Sequence, residues 1–129
     1  MKLVRIQFSF ECAIDKLSII LDNIKRANIN IMGYCIEEIK NVKLVVGLVN
    51  NTMYDKNWNK KVKLILKTHN INYEKKKVLQ ILTNSQSQPG ILSQYYNEFL
   101  KQNIIVNNAY VGENNSLIFD LNNTHYIIR

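Results

Sequence analysis

The sequence predicts an α+β fold, βαββαβ in order, with an antiparallel sheet and its helices on one face. Three observations predict it. The N-terminus alternates apolar and polar residues, two later stretches repeat apolar residues at intervals of three and four, and residues 4–31 match residues 79–106 at a constant offset of 75. Alternation places one face of a strand against a core, whereas the three-and-four spacing lays a single stripe along a helix.

The first strand carries Val4, Ile6, Phe8 and Phe10 on one face, with Arg5, Gln7 and Ser9 on the other. A polar loop is expected after it. A helix follows, with Leu17, Ile20, Leu21, Ile24 and Ala27 as its apolar stripe. Asn28 suits the helix exit because asparagine tolerates the left-handed conformation. Ile29 to about Ile36 reads as a second strand, and Val42 to Val49 as a third, apolar enough to be central. Thr52 and Asp55 have capping-box spacing ahead of a helix whose stripe is Trp58, Val62, Ile65 and Leu66. Asn70 ends that helix, and Ile71 to Glu74 reads as a short fourth strand. The expected core joins Val4, Ile6, Phe8, Leu17, Ile20, Leu21, Ile24, Trp58, Val62 and Ile65.

At the offset of 75, Leu17 meets Leu92, Ile20 meets Tyr95, Leu21 meets Tyr96, Ile24 meets Phe99 and Asn28 meets Asn103. The chain therefore divides into a first unit, residues 1–75, and a second, residues 76–129. The second unit runs out of sequence where its final helix would begin, so it keeps βαββ plus a tail whose path the pattern leaves open.

Composition narrows the function. The chain has 129 residues, 47% hydrophobic, with one proline and four glycines, which is globular composition. Its alternating N-terminus lacks the unbroken apolar region of a signal peptide. No apolar run approaches the ~20 residues of a membrane span, so a soluble, cytoplasmic protein without a membrane partner is expected. Cys12 and Cys35 read as free thiols. His69 and His125 have no companion ligands nearby in sequence, and neither a metal nor a cofactor is expected.

No catalytic residues are expected either. Glu37 and Glu38 are adjacent, so on a strand they face opposite ways, and no glycine-rich phosphate cradle occurs. The net charge of +7 raises a nucleic-acid reading. Eight of the lysines fall between Lys56 and Lys77, however, a pattern suited to the solvated side of an amphipathic element. An RNA recognition motif would also need stacking aromatics on its third strand, and Val42–Val49 has none. Nucleic acid is the lesser alternative.

The second copy of the strand–helix junction reads Ser87-Gln88-Pro89-Gly90-Ile91-Leu92, and its helix exits through Asn103-Ile104-Ile105-Val106. These residues resemble the ACT domain, a ferredoxin-like βαββαβ module with an Asp-x-Pro-Gly-x-Leu loop. Two such units in a short chain resemble the stand-alone tandem ACT proteins. The resemblance implies a regulatory protein that binds an amino acid where the loop after the first strand meets a neighbouring unit, and that acts on an enzyme partner. The implied ligand residues are Ser87, Gln88, Pro89, Gly90, Ile91, Leu92 and Asn107, with Asn108 beside the last. Ser87 stands where the family usually has Asp or Asn.

Glycine admits a ligand to the backbone, proline presets the first helical turn, and helix-start amides attract a carboxylate. The first copy departs from this logic, because Ile14 and Asp15 replace Pro and Gly. Two readings stay open for Pro89-Gly90, a ligand loop or an ordinary tight turn. The protein is accordingly either a small-ligand sensor or a ligand-free dimerisation module. A homodimer is expected in both cases, because the shortened unit leaves apolar surface and a sheet edge uncovered.

Overall fold

The computed structural model describes residues 2–39, 43–50, 57–82 and 90–122. They form β1 (Lys2–Ala13), α1 (Ile14–Arg26), β2 (Ile31–Ile39), β3 (Lys43–Asn50), α2 (Trp58–Thr68), β4 (Tyr73–Ile81), α3 (Ile91–Lys101), β5 (Val106–Val111), a 3-10 turn (Glu113–Asn115) and β6 (Leu117–Leu121). The strand order is β2-β3-β1-β4-β6-β5. The β2–β3, β4–β6 and β5–β6 pairs are antiparallel. The Thr52–Asp55 capping box and the tail from residue 123 lie outside the described residues.

Two compact units divide the chain. One comprises residues 7–76; the other joins residues 2–6 to residues 77–122. In the first, strand order β2-β3-β1-β4 with α1 and α2 gives βαββαβ, and the two helices pack against each other. In the second, β4, α3, β5 and β6 supply βαββ, with order β5-β6-β4 and residues 2–6 of β1 on the open side of β4. Those residues occupy the place that a fourth strand of this unit would take. β1 and β4 are thus each longer than the sequence pattern implies. Lys75, Lys76 and Lys77 do not interrupt β4, since strand backbone pairs regardless of how well its side chains are solvated.

The core of residues 7–76 contains Phe8, Leu17, Ile20, Ile24, Trp58, Val62 and Leu66, as the two helical stripes dictate. Phe8 meets Trp58 edge-on, ring centroids 5.5 Å apart, and Tyr73 at 5.6 Å. Leu21 and Ile65 are half-buried, at the margins of their helix stripes. Val4 departs from the expected core: it is 44% exposed. It belongs with the other unit, on the stretch of β1 from which Lys2 reaches Glu98 of α3 at 3.9 Å. The core there joins Leu79, Ile81, Phe99, Ile104, Phe119 and Leu121, with Phe99 edge-on to Phe119 at 5.0 Å. Such aromatic pairs add about 0.5–1.5 kcal/mol beyond the area they bury.

The three α-helices among the described residues end the same way. Asn28, Asn70 and Asn103 take φ of 60°, 57° and 57°. The next residue donates its amide five residues back in each case: Ile29 to Ile24 O, Ile71 to Leu66 O and Ile104 to Phe99 O. The asparagine amides bond three residues back, to Lys25, Lys67 and Leu100. This is the Schellman arrangement, in which the residue after the cap also packs on the helix it closes. Ile29, Ile71 and Ile104 are all buried.

Deleting residues 2–5 should expose one side of β4 in the unit it shares with α3. Hydrogen exchange should then show loss of protection in residues 77–81 and in α3, with α1 and α2 little changed. Equal loss in both units would show that residues 2–5 do not serve one unit in particular.

Candidate functional site

Of the residues implied as a ligand loop, Ser87, Gln88 and Pro89 lie outside the described residues. Gly90 is the N-cap of α3, with φ 89° and ψ 0°. A Cβ there would meet nothing within 4 Å, so glycine is required by the left-handed backbone and not by space. Its carbonyl accepts from Gln94 N–H at 2.9 Å, which closes the first turn. Among the described residues Gly90 gives α3 no side-chain cap and its first turn has no acid, so the opening amides carry their partial positive charge. Ile91 is half-buried, while Leu92, expected on the buried stripe, is 53% exposed. No second helix is described beside α3 in its unit.

Asn107 is exposed on β5, at a register irregularity between Val106 and Asn108. β5 starts just beyond the C-terminal end of α3, so Asn107 and Gly90 lie toward opposite ends of the helix. An eleven-residue helix separates its ends by about 16 Å. Within one chain the structure brings Gly90, Ile91 and Leu92 together and leaves Asn107 apart.

The corresponding place in the first copy differs. No polar loop follows the first strand: β1 continues to Ala13 and α1 begins at Ile14. Asp15 occupies the first turn of α1 and is exposed. Beside this junction lies an open depression of about 700 Å³, lined in part by Cys12, Ala13, Lys16, His69, Asn70 and Tyr73. Lys16 Nζ donates to the His69 carbonyl at 3.4 Å, and Asn23 Nδ2 lies 2.8 Å from His69 Nε2, which ties the end of α2 to α1. Sequence reasoning missed this depression. Its lining comes from residues 9–16 and 69–74, which only the pairing of β1 with β4 makes neighbours.

Burial pushes the Cys12 thiol above its ordinary pKa, Asp15 adds to the rise, and Lys16 opposes it. On the lysine-rich side, partial desolvation and then the neighbouring Lys63 ammonium hold Lys75 below its ordinary value. Among the described residues, no group of three or more His, Cys, Asp or Glu is placed to hold a metal ion. No helix among them is long and apolar enough to cross a membrane.

Neither a family model nor a curated protein matches the chain. Solved structures do. A protein of Bacteroides thetaiotaomicron superposes with TM-score 0.75 at 20% identity, over 98% of this chain and 85% of the other. The ligand-free regulatory subunit of aspartate kinase from Thermus thermophilus gives 0.67 at 5% identity, over 98% and 89%. The corresponding subunit from Thermus flavus gives 0.64 at 6%, over 98% and 90%. The fold is ACT-like. At these identities the likeness is one of fold, and the site's chemistry rests on its own residues.

The raised Cys12 pKa has a consequence with a definite sign. The folded chain holds the thiol proton more firmly than the unfolded chain. The associated stability is present below the unfolded value of about 8.5 and is lost as pH rises through the folded pKa. Because the thiolate is the nucleophile, iodoacetamide at pH 8 should label half-buried Cys35 before buried Cys12. Mass spectrometry of the two peptides checks the order.

Proposed function

We propose that the chain is a non-catalytic regulatory protein of the tandem ACT-like type. It binds a small amino acid through the loop that ends at Gly90. The supporting observation is the contrast between the two strand–helix junctions. At α3 the helix opens on a left-handed glycine, which offers no side-chain cap, and its first turn has no acid. At α1 the strand enters the helix directly, and Asp15 sets a negative charge where a carboxylate would lie. An amino-acid carboxylate therefore fits the second junction and is repelled at the first.

The site is completed by a second copy of the chain. β5 ends the strand order. Leu92, Tyr96 and Leu100 recur every fourth residue on α3, each 45–55% exposed, with Ile105 and Val111 still more open. An edge strand beside an apolar helix flank favours a twofold partner. Antiparallel pairing of β5 with its copy would carry the second copy's Asn107 toward the Gly90 end of α3. That would restore the pair of elements that one chain holds apart. An enzyme subunit is the natural recipient of the signal, consistent with the regulatory subunits that share the fold.

Two experiments test this reading. In calorimetry with the standard amino acids, Gly90→Asp should abolish binding, whereas Asp15→Gly should leave affinity unchanged or add a weak second site. Retained binding in Gly90→Asp together with lost binding in Asp15→Gly would move the site to the other junction. Sedimentation at high micromolar concentration should give a dimer that Leu92→Lys/Leu100→Lys converts to monomer. A monomeric wild-type chain would remove the interface.

A further inference from the structure

We propose that the groove between α1 and α2 docks an acidic amphipathic helix of a partner protein, with Leu64 as its apolar contact. The groove encloses about 440 Å³ and is lined in part by Asn23 and Ala27 of α1 and by Lys61, Leu64, Ile65 and Thr68 of α2. Lys16, near the start of α1, bonds to the carbonyl of His69 just after α2, so the two helices run antiparallel along it. The eleven residues of α2 give it a length of about 16 Å, room for three turns of a docked helix. Leu64 is 67% exposed, so the gain from burying it is still to be had. Its neighbours on the helix surface, three and four residues away, are Lys60, Lys61, Lys67 and Thr68. One leucine thus stands among three cations.

Charge selects the partner. α2 carries four lysines and no acid. Neither Lys60 nor Lys67 has a carboxylate three or four residues away to pair with along the helix. α1 sets Asp15 and Asp22 against Lys16, Lys25 and Arg26, so it does not offset the excess. Desolvation and then Lys63 already hold Lys75 below its ordinary value, as expected where positive charge is crowded. A second copy would bring one basic face against another, which repels. A nucleic acid would engage the lysines but leave the groove unfilled. A bilayer needs a broad apolar face, and lysines surround this one. A helix with a leucine stripe and glutamates on its flanks answers both features, filling the groove and pairing the lysines. This deepens the regulatory reading by giving its protein partner a surface, and it rests on that reading for the partner's existence alone.

The probe is a helical peptide of about 14 residues, long enough to span the groove, with leucines at three-and-four spacing and glutamates between them. It is titrated into the full chain, and carbon–proton spectra of the Ala27, Leu64 and Ile65 methyls read the contact. A saturable shift of these methyls is expected. Leu64→Ala should weaken binding about tenfold, and Lys60→Glu/Lys67→Glu should abolish it at low salt. All three positions are exposed, so these variants keep the fold. Gly90→Asp should leave the peptide's affinity intact, which tells a failure of docking from a failure of amino-acid binding. The proposal is overturned if polyglutamate of the same length binds as tightly, or if Leu64→Ala changes nothing. It is overturned equally if duplex DNA or phosphatidylserine vesicles shift the same methyls more strongly than the peptide does.

Discussion

The pairing of β1 with β4 is the constraint on which the rest depends. Twelve residues of β1 and nine of β4 exceed what either compact unit uses by itself. Among the described residues of 77–122 there are three strands, and a three-stranded antiparallel sheet leaves the inner edge of β4 unpaired. Residues 2–6 supply the missing neighbour. In residues 7–76 the same two strands stand side by side to complete β2-β3-β1-β4, and that adjacency sets Cys12 and Lys16 beside His69 and Tyr73. A break in this pairing would remove an edge from one unit and the floor of a depression from the other.

Much of the fold was legible because its signals are local. The stripes of α1 and α2 follow directly from apolar spacing, and the asparagines at positions 28 and 103 suit left-handed helix exits, which Asn70 also makes. The extent of β1 and β4 was not legible. Lys75-Lys76-Lys77 breaks the apolar alternation, so sequence alone suggested two strands where one continuous strand runs from Tyr73 to Ile81. Likewise, the polar loop expected after the first strand is absent at Cys12, which is buried, and β1 carries on to Ala13. Long-range pairing stabilises such segments, and a sequence window does not sample it. The exposure of Val4 and Leu92 has the same origin, since a residue can belong to an apolar stripe yet have nothing packed over it.

The candidate site was legible in its chemistry but not in its assembly. Gly90 stands out in sequence because glycine after proline admits a ligand to the backbone, and the structure adds that it opens α3 in the left-handed region. Asn107 offers an amide, and only the geometry of a helix followed by a returning strand shows that one chain keeps it from Gly90. The 700 Å³ depression had no linear signature at all, because its walls come from segments more than 50 residues apart in sequence.

The contact between Arg5 and Gln80 explains why two matching strands need not carry matching residues. The two positions correspond at the offset of 75, and their side chains touch. Identical residues there would meet each other, and like would face like. Two arginines would repel, and two leucines would leave the buried Ser116 hydroxyl without the amide that now donates to it. An arginine on one strand and a glutamine on the other satisfies both demands. The glutamine donates inward to Ser116 and accepts outward from the cation, so a neutral side chain with one donor end and one acceptor end is what this position requires. Divergence at Arg5 and Gln80 is thus imposed by their contact, while the solvent-facing ends of the same strands are under no such pressure.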